Sequence, residues 1–298
     1  MSFRILDLFH VIHITEDVAE LDAWYKDVFG GVPMMDNHYS PLEKRDASIV
    51  CVGDTPIEPM APTDVEGADA LPVGRFFKRF GPHLHSVAWY IEGLGDLYDA
   101  LHERGVRMFA DGGFPITERP SEGAIYTQPR DTHTQLEFAP FVNPRDPRKQ
   151  EGWSSRWWAD EHPLGIERLA SVTIVVKDAA SAATFFTDVL GGGIVERRHS
   201  ALTNTDDIAV AIGESTIVVL AQPTADDSFA RRDLDRNGDI LHALTFQVVD
   251  LQAAEKYLGS KDVHMALGDD ETIVMDPDDT YGALLAFTTR TIPGNPRR

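Results

Sequence analysis

His10 and Glu58 are ionisable residues in one half of the chain, at places where a second copy of the same sequence pattern is uncharged. The two copies of the leading motif are FHVIHITEDVAELDAWYKDVFGG at 9–31 and ASVTIVVKDAASAATFFTDVLGG at 170–192. Imidazole and carboxylate groups can bind a metal ion or move a proton. A scaffold position needs the same chemistry in both copies, so a histidine kept in only one suggests a functional site in the first half. The alternative is a histidine satisfied locally at a strand end.

The repeated motif predicts a strand, a helix and a stop. Each copy starts with a β-branched apolar run and reaches an aspartate placed to cap a helix; Asp17 with Glu20 has the spacing of a capping box. The glycine pairs 30–31 and 191–192 are typical of helix ends. One face of each predicted helix is apolar: Val18, Leu21, Tyr25, Val28 and Phe29 in the first copy, and Ala182, Phe185, Phe186, Val189 and Leu190 in the second.

Further strands and helices also recur. After the first helix, strand-like runs at 47–52 and up to residue 60 flank a Gly-Asp turn, and the second copy has 208–212 and 216–220. A strand at 83–91, a helix ending near Gly105 and strands ending at 125–138 are echoed at 240–259 and 274–287. Self-similarity of this kind indicates duplicated units. The sequence therefore predicts four strand-helix-strands units, two in each half.

These repeats divide the 298 residues into two domains, each large enough to bury a core. We predict a first domain at 1–142, a linker at 143–167, a second domain at 168–290 and a tail at 291–298. The linker carries Trp153, Trp157 and Trp158. Because tryptophan buries a large apolar area, we expect these side chains to pack against a neighbouring domain.

Composition limits the classes of partner and the compartment. A net charge of −21 opposes binding to nucleic acid or to an anionic membrane. No apolar run approaches a transmembrane span, and the start MSFRILDLFHV lacks the features of a signal peptide. Cys51 is the single cysteine, which excludes an intramolecular disulfide and fits a reducing cytoplasm. We expect a cytoplasmic protein with a small-molecule substrate, and a homodimer stays open.

The ordered set of motifs resembles the vicinal oxygen chelate superfamily, the glyoxalase, bleomycin-resistance and extradiol-dioxygenase group. The motifs are HV-x-I at the first strand, a Gly-Asp turn before I-E-x-x-x-P, L-H-x-V-A-W, and Pro-x-Asp-Thr-His-x(2)-L-E-F at the close. The resemblance implies an α+β fold of four βαβββ units in two tandem domains, with mixed sheets curled into open barrels.

The resemblance also implies a divalent metal held on the inner faces of four strands. Carried over by position, the ligands are His10, Glu58 and Glu137. The fourth ligand in the family is a histidine, and Ser86 occupies its place here, one residue after His85. Strand alternation puts neighbouring side chains on opposite faces, so if Ser86 faces the cavity then His85 faces the helix side unless a bulge intervenes.

By the same comparison the second domain has lost its ligands. Ser171 replaces the histidine, Val218 or Val219 replaces the acid, Ala243 lies at the second histidine position, and Leu285-Ala286 replaces the closing glutamate. This domain is expected to pack, to form a dimer or to shape the first domain's cavity.

Imidazole and carboxylate ligands suit one divalent ion among Zn, Mn, Fe(II), Co and Ni. The main hypothesis is an isomerase, epimerase or lyase that binds adjacent oxygens of its substrate, with Glu137 or Glu58 as base. The other hypotheses are an extradiol-type Fe(II) dioxygenase and a metal-free binding or resistance protein. Four residues are expected near the substrate: Ser86, Tyr126, His133 and Gln135. His85 is a candidate fourth ligand of the metal.

Overall fold

The computed structural model describes residues 2–294, so residues 295–298 of the predicted tail lie outside the described part. The chain forms two mixed β-sheets, one of nine strands and one of eight, with helices packed on them. Both sheets are open, because each ends in edge strands. Within the described residues, no helix is long and apolar enough to cross a membrane.

The first sheet and its helices extend from residue 4 to residue 139. The elements are β1 Arg4–Ile14, α1 Val18–Phe29, β2 Val32–Ser40, β3 Arg45–Val52, β4 Thr55–Pro62, α2 Pro72–Phe80, β5 His83–Glu92, α3 Leu94–Glu103, β6 Met108–Ala110, β7 Phe114–Pro115, β8 Ile125–Thr127, α4 Pro129–Thr132 and β9 Gln135–Ala139. A short helix, α5 Arg156–Asp160, follows in the linker.

The second sheet repeats this order from residue 166 to residue 288. Its elements are β10 Ile166–Val175, α6 Ala179–Asp188, β11 Gly193–Ser200, β12 Thr205–Ile212, β13 Thr216–Pro223, α7 Phe229–Asn237, β14 Ile240–Val248, α8 Leu251–Gly259, β15 Met265–Gly268, β16 Thr272–Met275 and β17 Leu284–Thr288.

The strand orders confirm the four-unit fold. The first sheet runs β2-β3-β4-β1-β5-β9-β8-β6-β7 and the second runs β11-β12-β13-β10-β14-β17-β16-β15. Within each unit the first and last strands pair in parallel, as in β1 with β4 and β5 with β9. The two units of a domain meet through an antiparallel pair, β1 with β5 or β10 with β14. Strands β4, β1, β5 and β9 therefore form the centre of the first sheet.

The first helix shows how local sequence fixes these elements. Asp17 has extended backbone angles, and its carboxylate accepts hydrogen bonds from the amides of Ala19 and Glu20, which would otherwise lack partners at the helix start. Gly30 ends the helix in a left-handed conformation at φ 64°, which costs glycine little. The five predicted apolar positions of this helix are all buried. The carboxylate of Glu20 accepts a hydrogen bond from the Tyr281 hydroxyl of the second domain.

The linker tryptophans pack against the first domain, as predicted. Trp158 is 2% exposed, and its indole N–H donates to the carbonyl of Phe29 at 2.8 Å. Its ring also contacts those of Trp153 and Trp157. Trp157 is 47% exposed, so Trp158 is the anchor of the group.

Hydrogen bonds also join the two domains directly. The Trp89 indole N–H donates to the Thr216 hydroxyl at 3.0 Å. His13 is fully buried, with Nε2 2.9 Å from the Tyr281 carbonyl and Nδ1 2.9 Å from the Tyr25 hydroxyl. Because a carbonyl only accepts, Nε2 carries the proton and Nδ1 accepts from the tyrosine. His13 is thus a neutral core histidine at the domain interface.

We expect His13 to make folding sensitive to acid. Burial lowers the pKa of His13 from 6.5 to about 4. Between these values the unfolded chain binds an extra proton, so the free energy of unfolding falls as pH falls, by about 1.4 kcal/mol per pH unit and about 3 kcal/mol in total. Chemical denaturation at pH 7 and pH 4.5 should show a shallower pH dependence for His13→Gln than for the wild type. An equal pH dependence would contradict this, and the exposed His199→Gln variant is the control.

Candidate active site

The candidate site lies on the four central strands of the first sheet, in a cavity of about 350 Å³. Strand register places its residues together. His10 on β1 is opposite Ala88 on β5, and Ala88 is in turn opposite Glu137 on β9. Glu58 on β4 lies beside Ile12, two residues along β1 from His10 and therefore on the same face. All three ionisable side chains line the cavity.

His10 contacts both predicted carboxylates. Its Nε2 atom is 3.1 Å from an oxygen of Glu58 and 3.1 Å from an oxygen of Glu137. The three side chains are almost completely buried, with at most 6% exposure. One N–H cannot fully satisfy two carboxylates, and Nδ1 on the other side of the ring is buried without a hydrogen-bond partner. The three groups predicted from separate strands therefore converge on one point.

A guanidinium group completes the charged part of the cavity. Arg45 on β3 forms an ion pair with Glu43 at 2.7 Å and lies 3.8 Å from Glu58. Three carboxylates thus face one guanidinium and one imidazole in a buried space. With His10 protonated and all three carboxylates ionised, the cluster carries a net charge of about −1, which is costly away from water unless a further cation compensates it.

Burial and neighbouring charges shift the pKa values in this cluster. Burial alone would lower the pKa of His10, but the charges of Glu58 and Glu137 outweigh it, so the pKa is raised. The pKa of Glu58 is also raised, because burial disfavours its charged form more than His10 and Arg45 favour it. Tyr126, whose hydroxyl donates to Asp111, has a pKa well above its ordinary value, mainly because of burial.

His85 lines the cavity, contrary to simple strand alternation. The β1–β5 ladder pairs Ile12 with Ser86 and then His13 with Leu84, which leaves His85 in a bulge. The bulge lets the imidazole turn towards the cavity, whereas Ser86 is fully buried and does not line it. The ring of His85 contacts the Ser86 hydroxyl at 3.1 Å and packs edge-on against Phe76.

The electrostatic state of His85 differs from that of His10. Burial and the nearby charges of His83 and Arg45 lower the pKa of His85 to about 4. His85 is therefore a neutral imidazole in the cavity wall at neutral pH.

The remaining predicted substrate residues divide into two groups. Tyr126 and Gln135 line the cavity, and Tyr126 is directly opposite Glu137 in the β8–β9 pair. His133 is not among the cavity residues. Its Nδ1 atom instead lies 2.7 Å from Asp239 of the second domain.

The second domain has a smaller cavity, of about 140 Å³, at the equivalent place. The positions of the four expected ligands are occupied there by side chains that cannot bind a metal strongly: Ser171, Val219, Ala243 and Ala286. His242 lies in a bulge of the β10–β14 ladder that is equivalent to the bulge at His85. Its Nδ1 contacts Asp233 at 2.6 Å. Charged side chains also line this cavity, among them Arg290 and Glu196, which form an ion pair.

The donor atoms of the first cavity suit a divalent ion in chemistry. Ligands about 2.0–2.2 Å from an ion and at right angles to each other are about 3 Å apart, close to the 3.1 Å separations here. Within residues 2–294, however, no group of three or more His, Cys, Asp or Glu side chains is arranged so that it could hold an ion as placed. In this arrangement Nε2 faces both carboxylates, so metal binding would require Nε2 to carry no proton and the carboxylates to turn.

Arg45 and Glu43 were missed in the sequence analysis. The strand pairing makes Thr205 the equivalent of Arg45, because Arg45 pairs with Pro62 just as Thr205 pairs with Pro223 in the second domain. Arg45 is therefore charged in the first copy only, as are His10 and Glu58. The sequence offset that relates His10 to Ser171 instead aligns Arg45 with the charged residue Asp206, so the comparison of the two copies did not reveal it.

Comparison with known proteins agrees with this fold. Residues 9–122 match a family model described as the Glyoxalase/Bleomycin resistance protein/Dioxygenase superfamily, and residues 168–288 match a second model with the same description. Together the two matches cover more than half of the chain. The chain belongs to this superfamily and contains two of its domains in tandem.

Solved structures extend the likeness to the whole chain. A triple mutant of 4-hydroxymandelate synthase from Streptomyces coelicolor has a TM-score of 0.68 at 14% identity, over 98% of this chain and 95% of that one. Methylmalonyl-CoA epimerase from Mycobacterium tuberculosis has a TM-score of 0.39 at 22% identity, over 41% of this chain and 87% of that one. At such identities the first likeness establishes the fold alone. No curated protein sequence matches the chain.

Proposed function

We propose that the first domain is a metal-dependent enzyme site that moves a proton at a carbon atom next to a carbonyl group, in isomerase, epimerase or lyase chemistry. The observation that carries this proposal is the contact of His10 Nε2 with both Glu58 and Glu137 in the wall of a cavity. These residues would hold a divalent ion. The buried excess of negative charge around them favours a cation at this point.

The chain's own residues have distinct roles in this scheme. A divalent ion bound here would supply Lewis-acid polarisation of substrate oxygens. Glu58 is the proposed base: burial raises the pKa of its carboxyl, which makes the carboxylate a better proton acceptor, and Arg45 at 3.8 Å can stabilise its anion. Tyr126 and Gln135 are positioned at the cavity wall to hydrogen bond to the substrate.

Solvent proton exchange tests the proposed chemistry. The protein is incubated in heavy water with Zn, Mn, Co, Ni or Fe(II) and a series of 2-oxo acids, hydroxyketones and 1,3-dicarbonyl compounds. We expect metal-dependent deuterium incorporation into at least one compound, and a loss of about 100- to 10,000-fold in Glu58→Gln, the usual range for a general base. Ser171→Ala, at the matching place in the second domain, is the control. Exchange that survives Glu58→Gln would remove Glu58 as the base.

A metal-free binding protein is the second candidate function. The hydrogen bond of His10 with Glu137, its 3.1 Å contact with Glu58 and the guanidinium of Arg45 favour it, because these contacts partly compensate the buried charge without an ion. It predicts tight binding of a small ligand with no metal requirement and no exchange.

The dioxygenase hypothesis needs two histidines and one carboxylate on iron. It has less support, since the ring of His85, a second histidine of the cavity, contacts the Ser86 hydroxyl and Phe76. His10, by contrast, contacts both carboxylates.

A further inference from the structure

A second recess, the interdomain groove, runs from the candidate active site between the two domains. Its volume is about 1320 Å³, and its walls come from α2 and the β8–α4 segment of the first domain and from α7 of the second. It shares six wall residues with the active-site cavity, so the two recesses are adjacent. The shared residues are Pro72, Arg75, His85, Gln128, Pro129 and Gln135.

The groove is basic although the chain as a whole is acidic. Six arginine and lysine residues line it against three aspartates, in a protein of net charge −21. Each of these aspartates already has a partner: Asp69 contacts Lys78 at 3.3 Å, Asp235 contacts Arg231 at 3.7 Å, and Asp239 contacts His133 at 2.7 Å. The acids of the groove therefore leave much of its positive charge uncompensated.

Four arginines of the groove make no ion pair with a carboxylate in the described part of the chain: Arg75, Arg79, Arg130 and Arg236. All four are exposed. Arg75 is held by a hydrogen bond to the Ala70 carbonyl, and Arg79 lies over the ring of Phe80. These contacts orient the guanidinium groups without neutralising them.

Guanidinium groups without carboxylate partners bind phosphate well, because their N–H groups match two phosphate oxygens at once. Side chains from both domains converge on the groove, so a ligand with two or more phosphate groups can engage several of them. Phe76 and Phe80 add apolar surface beside these charges. Nucleic acid is disfavoured by the net negative charge of the rest of the surface.

We propose that the interdomain groove binds the phosphate groups of a substrate whose reacting end lies in the active-site cavity. The inference rests on the proposed function for the identity of the reacting end, and it adds the substrate class: a small carbonyl compound carried on a tail with at least two phosphates. Arg75, at the junction of the two spaces, would contact the part of the tail nearest the reacting group.

Calorimetric titration with inorganic pyrophosphate and with ADP tests the groove. At low salt we expect both probes to bind, about three- to tenfold more weakly in each of Arg79→Gln, Arg130→Gln and Arg236→Gln, and more weakly still in the triple variant. Arg104→Gln, an exposed arginine outside the groove, should bind as the wild type does. Tighter binding of ADP than of pyrophosphate would show that the groove also contacts a nucleoside attached to the phosphates. Equal binding would show that the groove contacts the phosphates alone.

Several results would overturn the proposal. They are no binding of either probe, equal losses in Arg104→Gln, and tighter binding of a single-stranded oligonucleotide than of ADP. The Glu137→Gln variant separates this proposal from the preceding one, because it should lose metal and still bind ADP. Wild-type protein that holds no metal but binds ADP would contradict the proposed metal-dependent function and would leave the groove proposal standing.

Discussion

Glu137→Gln should lower the affinity of the protein for divalent metal by at least about 100-fold, because it removes a charged oxygen ligand that an amide replaces poorly. The carboxylate lies 3.1 Å from His10 Nε2 and is almost fully buried. Glutamine has nearly the same shape, so the fold should be kept, and the circular dichroism spectrum should not change. The protein is first stripped of metal with a chelator, and its affinity for added metal is then measured by isothermal titration calorimetry.

Glu196→Gln is the matched control for this change. Glu196 is a carboxylate that lines the second domain's cavity, where the positions equivalent to the four expected ligands are uncharged. It should retain the metal affinity of the wild type. Equal affinity in Glu137→Gln and wild type would remove Glu137 from the site, and an equal loss in both variants would indicate a nonspecific effect of charge.

Trp158→Ala should lower the free energy of unfolding by about 3–5 kcal/mol, the usual cost of replacing a buried large aromatic residue by alanine. The side chain is 2% exposed, and its loss leaves a cavity and removes the N–H that binds the Phe29 carbonyl. Phe29 is the last residue of α1, so the linker would lose its hydrogen bond to the end of that helix. Urea denaturation of the purified variant measures the change.

Two further tryptophan variants make this result specific. Trp158→Phe keeps most of the apolar area and removes only the hydrogen bond, so we expect about a third of the full effect or less. Trp157→Ala removes a neighbouring ring that is 47% exposed and should cost clearly less than Trp158→Ala. Equal losses at positions 157 and 158 would contradict the assignment of Trp158 as the anchor.

The sequence was sufficient to predict the repeated units, because their signals are local. The aspartate at 17, the apolar face of α1 and the glycine at 30 each act within a few residues, and the structure has the helix at Val18–Phe29. In the second copy the helix ends at Asp188, so Val189 and Leu190 lie just beyond it although both are buried. Helix ends vary by one or two residues because the last turn is held by few hydrogen bonds.

The details of the site were less predictable, because they depend on contacts between distant strands. The orientation of His85 follows from a bulge in the β1–β5 ladder, which alternation along one strand cannot reveal. The contact of His133 with Asp239 joins residues 106 positions apart in different domains. By contrast, the convergence of His10, Glu58 and Glu137 was predictable, because family resemblance assigned each to a central strand of one sheet.

Elemental analysis of the anaerobically purified protein, beside its His10→Ala variant, decides whether the first domain holds a metal ion. Nε2 of His10 is the atom on which both carboxylates converge, so we expect near-stoichiometric divalent metal in the wild type and its loss in the variant. Ser171→Ala, the equivalent position of the second domain, should keep the metal. Wild-type protein without metal even after incubation with excess Zn, Mn, Co, Ni or Fe(II), or full metal content in His10→Ala, would contradict the account.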